Sequence, residues 1–235
     1  VYFCSMKFGV VVFPGSNCDK DLIWAVERAT GSPAVELWHK DTDLKGCDFI
    51  FIPGGFSYGD YLRSGAIAKL SPIMGAIQEF ASNGGYVMGI CNGFQILCES
   101  GLLPGALLRN NSMQFICENI YLKPANSSLL TKGLAKEEAL KIPIAHGEGR
   151  YYIDEAGYKS LVANDQILFR YVTAKGEITE KANPNGSLDN IAGVCNAEKN
   201  IFGMMPHPER AADANLLNED GMKIIKSILL AEANA

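Results

Sequence analysis

Tyr86-Val87-Met88-Gly89-Ile90-Cys91-Asn92-Gly93-Phe94-Gln95 is the stretch that decides how this chain folds. Its first five residues form the apolar run that a strand buried on both faces requires. Phe94 to Ser100 then reads as a helix, ended by Gly101. Between strand and helix stands one cysteine in the pattern G-x-C-x-G, the cysteine form of a nucleophile elbow. A side chain on so sharp a bend sits in strained backbone, and bulky neighbours would collide with it. The helix that starts at once turns its free N–H groups toward the sulfur, an arrangement suited to a nucleophile and to a developing oxyanion. A cysteine packed inertly in a glycine-rich turn is the competing reading, and it wins for a cysteine taken alone.

The flanking segments repeat the alternation. Phe8–Phe13 is a buried strand, Pro14–Asn17 a turn, and Asp19–Thr30 a helix with Leu22, Ile23, Val26 and Ala29 on one face and Gly31 at its end. Strands follow at Ala34–Trp38 and Asp48–Ile52, and a helix at Ser71–Ser82. Buried strands alternating with amphipathic helices imply a three-layer α/β/α fold around a mostly parallel central sheet. In such sheets the loops after the strand C-terminal ends build the site, so the loops after Ile52 and Ile90 are the ones to watch. The second half is richer in strands, at Phe115–Leu122, Leu140–Ala145, Gln166–Val172, Ile191–Cys195 and Ile201–Met205. Leu216–Ala231 reads as a closing helix. Val1–Ser5 reads as a tag remnant and 6–235 as one domain, with no linker or repeat.

Composition narrows the function. The chain has 235 residues, 20% of them charged, and a net charge of −5, without a Lys/Arg cluster. A nucleic-acid binder needs basic excess, and no apolar run reaches the length of a membrane span. Seven cysteines without a CxxC pair point to a reducing cytoplasm, and against a disulfide framework or a zinc cluster. Cys18, Cys47, Cys98, Cys117 and Cys195 read as structural.

A cysteine nucleophile needs a base, and the chain has three histidines. His39 reads as part of a surface loop, solvated or packing. His146 follows a strand in Ala145-His146-Gly147-Glu148-Gly149. His207, in Met205-Pro206-His207-Pro208-Glu209-Arg210, carries the sharper signal. Its prolines restrict the backbone toward extended geometry, in which residues two apart share a side. Glu209 then orients one imidazole nitrogen while the other faces the thiol, the logic of a triad. A turn carrying a surface Glu209–Arg210 ion pair is the alternative. Gly54-Gly55-Phe56, after the third strand, lets backbone N–H groups approach a ligand closely.

Taken together, Gly54-Gly55, Gly89-Ile90-Cys91-Asn92-Gly93-Phe94-Gln95 and His207-Pro208-Glu209 resemble the class I (triad) glutamine amidotransferases, in the family's order and over residues 6–235. The resemblance implies that family's flavodoxin-like fold. Finer stretches resemble one subfamily, the glutaminase subunits of phosphoribosylformylglycinamidine synthase in purine biosynthesis. They are Phe13–Asp19, Gly54–Ala66, His146–Arg150, Asn183–Ser187 and Met205–Arg210. The chain ends after its last helix, so the match is to the separate small-subunit form.

The resemblance implies Cys91 as nucleophile, His207 as proton shuttle and Glu209 as its orienter. It implies an oxyanion site from N–H groups of Gly55 or Phe56 and of Asn92. It implies that Gly54, Gln95, Ala145, His146, Gly147 and Glu148 hold glutamine, with Arg109–Ser112 closing the pocket. It implies no metal or cofactor on this chain, with ATP and Mg on a large synthetase partner that receives ammonia, and a very small third subunit. The chain has no P-loop, which fits that division. The loop of Tyr58, Asp60, Tyr61 and Arg63 reads as a partner contact or gate, or as a loop tied down locally. A cysteine peptidase or amidase on the same elbow, a regulatory subunit without turnover, and a glutaminase of another synthetase are the competing readings.

Overall fold

The structure is a computed structural model that describes residues 6–232. The expectation for Val1–Ser5 falls outside the described residues. Strand β1 (Phe8–Val12) leads into α1 (Asp19–Thr30), then β2 (Val35–Trp38), β3 (Phe49–Ile52), α2 (Pro72–Ser82), β4 (Tyr86–Ile90) and α3 (Asn92–Glu99). Gly31 ends α1 in the left-handed conformation, its N–H capping Glu27 O. Pro72 opens α2 at the position where a missing N–H costs nothing.

The second half carries β5 (Ala106–Leu108), β6 (Ile116–Pro124), β7 (Leu140–His146), β8 (Arg150–Tyr152), α4 (Glu155–Ala163), β9 (Ile167–Val172), β10 (Ile191–Cys195), β11 (Ile201–Met204) and α5 (Asp220–Glu232). The short strands β5 and β8 pair only with each other, and three residues give too little alternation to be read. Helix α4 also escaped the reading. Its apolar face buries only Leu161, so its stripe is weak. The closing helix begins at Asp220, because Ala214–Leu216 forms a separate 3₁₀ turn and Leu217 turns left-handed.

One nine-stranded sheet runs β2-β1-β3-β4-β11-β10-β9-β6-β7. Strands β2, β1, β3, β4 and β11 are parallel throughout, and the others extend the sheet in antiparallel pairs. Right-handed crossovers place α1 on one face and α2 and α3 on the other. All four side chains of β3 are therefore buried, each contributing roughly 1.5–3 kcal/mol of transfer free energy. The chain turns outward in opposite directions from β1, to β2 on one side and β3 on the other. That split opens a crevice at the strand C-terminal ends. Four successive antiparallel pairings bring β7 back to the direction of β11. His146, Met204, Ile90, Ile52 and Val12 consequently end their strands at the same edge.

Candidate active site

At that edge Cys91 takes φ 50° and ψ −104°. This backbone is strained for a residue with a Cβ. The surrounding contacts enforce it. Cys91 N–H donates to Met204 O at 2.8 Å, anchoring the bend on β11. A Cβ at Gly93 would stand 1.9 Å from Ile52 O, so only glycine lets α3 start this close to β3. The first N–H groups of α3, Asn92 among them, have no partner within the helix. The thiol lies 3.8 Å from Ala145 O.

Residues of the elbow bind three loops together. Asn92 Oδ1 accepts from Ser57 N–H at 3.1 Å, and its Nδ2 donates to Asp60 Oδ1 and to Gln95 Oε1. Gln95 Nε2 donates to Glu148 O at 2.7 Å. Gln95 thus lines the site with both ends of its amide already engaged.

His207 Nδ1 and Glu209 Oε1 are 2.6 Å apart, and both side chains are buried. The pairing matches the expectation, but its geometry does not. Pro208–Ala211 forms a 3₁₀ turn, so Glu209 folds back onto the ring rather than lying along an extended strand. Pro208 favours this, since its fixed φ suits the first residue of a helical turn. The surface Glu209–Arg210 ion pair is ruled out by the burial of Glu209. Burial works against charge on His207, but the carboxylate of Glu209 and the sulfurs of Cys91 and Cys18 outweigh it and raise its pKa well above the usual value. Nε2 makes no hydrogen bond.

Cys91 opens into a cleft of about 410 Å³ lined by Gly55, Phe56, Asp60, Gln95, Arg109 and Ala145–Glu148, among others. His207 borders a cavity of about 120 Å³ that shares Gly55, Phe56, Phe115 and Ala145 with the cleft. A larger groove, about 700 Å³, reaches His207 and Glu209 from another side but does not include Cys91. Gly54 lies beneath the histidine; a Cβ there would stand 2.7 Å from its Cε1. Gly55, at φ 127°, makes no backbone hydrogen bond through its N–H among the described residues. Phe56 differs from the expectation: its N–H already donates to Gly15 O at 3.0 Å. It contributes its ring, which stacks on Phe115 at 6.4 Å.

The opposite wall is held by asparagines. Asn110 Nδ2 donates to His146 O, and its Oδ1 accepts from Gly149 N–H and from His146 Nδ1. Asn185 Nδ2 donates to Gly149 O and reaches His146 Nε2 at 3.5 Å. Burial, and then the nearby charge of His207, push the His146 pKa down to about 4. The ring is therefore neutral, with its proton on Nδ1. The cleft itself is mixed in charge. Arg109 lies 3.8 Å from Glu148, and burial raises the Asp60 carboxyl, an effect to which Glu148 adds.

Several expectations need correcting. His39 is buried, not in a surface loop, and bonds the Tyr58 hydroxyl at 2.6 Å. Tyr58, also bonded to Ser71, is tied down locally, and Arg63 pairs with Glu99, whereas Tyr61 stays exposed. Cys117 is exposed. Cys18 is buried beside the histidine, its sulfur within 4.8 Å of both a His207 nitrogen and a Glu209 oxygen. The reading also missed Asn110 and Asn185 as supports of the site, although both lie in stretches it had singled out. No helix among the described residues is long and apolar enough to cross a membrane.

A cysteine elbow, a buried His–Glu pair and a cleft at the switch point of a doubly wound sheet define a triad amidotransferase, and the chain belongs to the CobB/CobQ-like glutamine amidotransferase domain family, matched over residues 5–223. More particularly, it is 54% identical to phosphoribosylformylglycinamidine synthase subunit PurQ of Koribacter versatilis, over 97% of this chain and 99% of that one. It is equally identical to the PurQ of Moorella thermoacetica over 95% of each. In three dimensions it matches a chain of PurLQS from Thermotoga maritima with a TM-score of 0.85 and 43% identity, covering 97% of this chain and 99% of that one.

Proposed function

We propose that this chain is the glutaminase subunit of a phosphoribosylformylglycinamidine synthase, hydrolysing glutamine and delivering ammonia to a synthetase partner. The 2.6 Å His207–Glu209 pair beside a strained Cys91 carries the reading. The thiol proton of Cys91 rests on His207, and the Cys91 thiolate attacks the side-chain amide carbon of glutamine. N–H groups of Gly55 and Asn92 hold the tetrahedral oxyanion. His207 returns the proton to the departing nitrogen, ammonia leaves, and a γ-glutamyl thioester remains. Water then adds to the thioester with His207 as base. Glutamate departs and the thiol is restored. Glu209 keeps the imidazole oriented throughout.

Asp60, Glu148 and Arg109 give the cleft both signs of charge, which suits the ammonium and carboxylate of a free amino acid. Gln95 and the Ala145–Glu148 segment frame it, with Gly54 behind, beneath the His207 ring. Free ammonia would protonate and disperse in water, so it passes directly to the partner. The Thermotoga relative was solved as PurLQS. By analogy the assembly contains a large synthetase, which carries ATP and Mg, and a very small third subunit. The compartment that suits six unpaired cysteines among the described residues is the cytoplasm.

Trapping with a glutamine-mimicking electrophile, followed by mass mapping, tests this. The label is expected on Cys91, suppressed by glutamine and absent in Cys91→Ala. That variant should release ammonia slower by roughly 10⁴-fold or more. Labelling of another cysteine, or normal turnover in Cys91→Ala, would overturn the reading.

A further inference from the structure

Cys18 is the N-cap residue of α1 and makes no capping hydrogen bond from its side chain. Arg210, next to Glu209, donates from Nη2 to the Cys18 sulfur at 3.0 Å and reaches Asp21 from Nε at 3.4 Å. The sulfur and the His207 ring converge over Gly54, where a Cβ would stand 3.3 Å from the one and 2.7 Å from the other. Both also border the 120 Å³ cavity. A thiol that merely filled space would need neither the guanidinium nor the histidine.

We propose that Cys18 is a positioning residue of the catalytic site, its sulfur fixed by Arg210 against the His207 imidazole. It does not touch substrate; it acts through His207. This rests on the reading of His207 as the proton shuttle. The charged or titratable groups facing that ring are Glu209 and Arg210 from its own turn, Cys91 from the elbow, His146 from β7, and Cys18 with Asp21 from α1. Of these, Cys18 adds to the preference of the ring for its charged form. Without the sulfur, the imidazolium that must protonate the leaving nitrogen loses its proton at lower pH.

The test is the pH profile of glutamine hydrolysis by the full chain with its synthetase partner, for wild type, Cys18→Ala, Cys18→Ser and Arg210→Lys. Cys18→Ala should lower kcat about five-fold, the worth of one hydrogen bond, with KM nearly unchanged. Its alkaline limb should move to lower pH by roughly half a unit. Cys18→Ser keeps an acceptor for Arg210 and should restore the limb. Arg210→Lys keeps the positive charge beside the ring but loses the planar fork that reaches the sulfur, so it should shift the limb in the direction of Cys18→Ala, and it reads the same contact should Cys18→Ala fail to fold. A Cys18→Ala or Arg210→Lys profile superimposable on wild type, or a loss of kcat that Cys18→Ser does not rescue, overturns the proposal. A wild-type chain that never hydrolyses glutamine overturns instead the functional reading beneath it.

Discussion

The elbow at Cys91 and the loop at His146–Gly149 face each other across one cleft and are held by opposite means. The elbow is fixed first by backbone, with the Asn92 amide bonding Ser57, Asp60 and Gln95 around it. Cys91 N–H is anchored on β11, α3 presses against Ile52, and the glycines remove every Cβ that would intrude. The facing loop takes one backbone hydrogen bond, from Asn110 N–H to Gly147 O, and is otherwise fixed by side chains from distant segments. Asn110 and Asn185 engage its carbonyls, an N–H and both ring nitrogens of His146. A backbone-held element tolerates no added atom, whereas a side-chain-held element tolerates no missing partner. The two walls should accordingly fail in different ways.

The sharpest break on the elbow side is Gly93→Ala. The new Cβ meets a backbone carbonyl of the central strand at 1.9 Å, and neither that strand nor the helix can yield cheaply. Overpacking of this kind against backbone should cost at least about 3 kcal/mol, read as a drop in the urea midpoint at constant slope. A loss under 1 kcal/mol would mean that α3 can slide away from β3, and that the elbow is less rigid than its contacts imply.

This difference also explains what could be read in advance. G-x-C-x-G is local: strand, bend and helix are adjacent in sequence, and the steric demand for glycine is written at 89 and 93. The parallel strands were legible for a related reason, since Phe49–Ile52 is apolar at every position and can only be a strand covered on both faces. The asparagine clamp is not local. Nothing around Asn110 or Asn185 states that their amides will meet a loop at 146–149, because that meeting depends on the antiparallel pairing that returns β7 to the site edge. Cys18 escaped for the same reason: the Arg210 that grips it lies 192 positions further along. His39 misled because the polar residues after it suggested a loop, while Tyr58 and Ser71 supply its partners from elsewhere.

On the clamped side, pH is the next lever. His146 is neutral in the folded chain, with a pKa of about 4, and takes up a proton near 6.5 once unfolded. The unfolded state then binds more protons between those values, so this residue's contribution falls as pH drops from about 6.5 toward 4. The loss amounts to roughly 3 kcal/mol. His207 runs the other way: its folded pKa is raised, so its contribution is full below 6.5 and fades as pH rises through the folded value. Urea midpoints for wild type and His146→Gln across pH 4–7 separate the two. The variant should lose less stability on acidification. Parallel curves would show that His146 is not the group being titrated.

Asn185→Ala should have the smallest effect on stability and the most specific effect on function. The substitution removes the donor to Gly149 O and the one reaching His146, and the acceptor used by Ser187. Buried groups left without partners cost about 1–3 kcal/mol, less than the clash at Gly93 because no atom has to be displaced. The elbow shares no hydrogen bond with Asn185, so Cys91 should label with a simple alkylating agent at the wild-type rate. Glutamine, which needs the facing wall in place, should show a raised KM with kcat nearly intact. That split is what two independently held walls require. An equal fall in Cys91 labelling would mean that strain passes between them, through Gln95 Nε2 and its bond to Glu148 O, the one direct hydrogen bond described here that joins α3 to the loop.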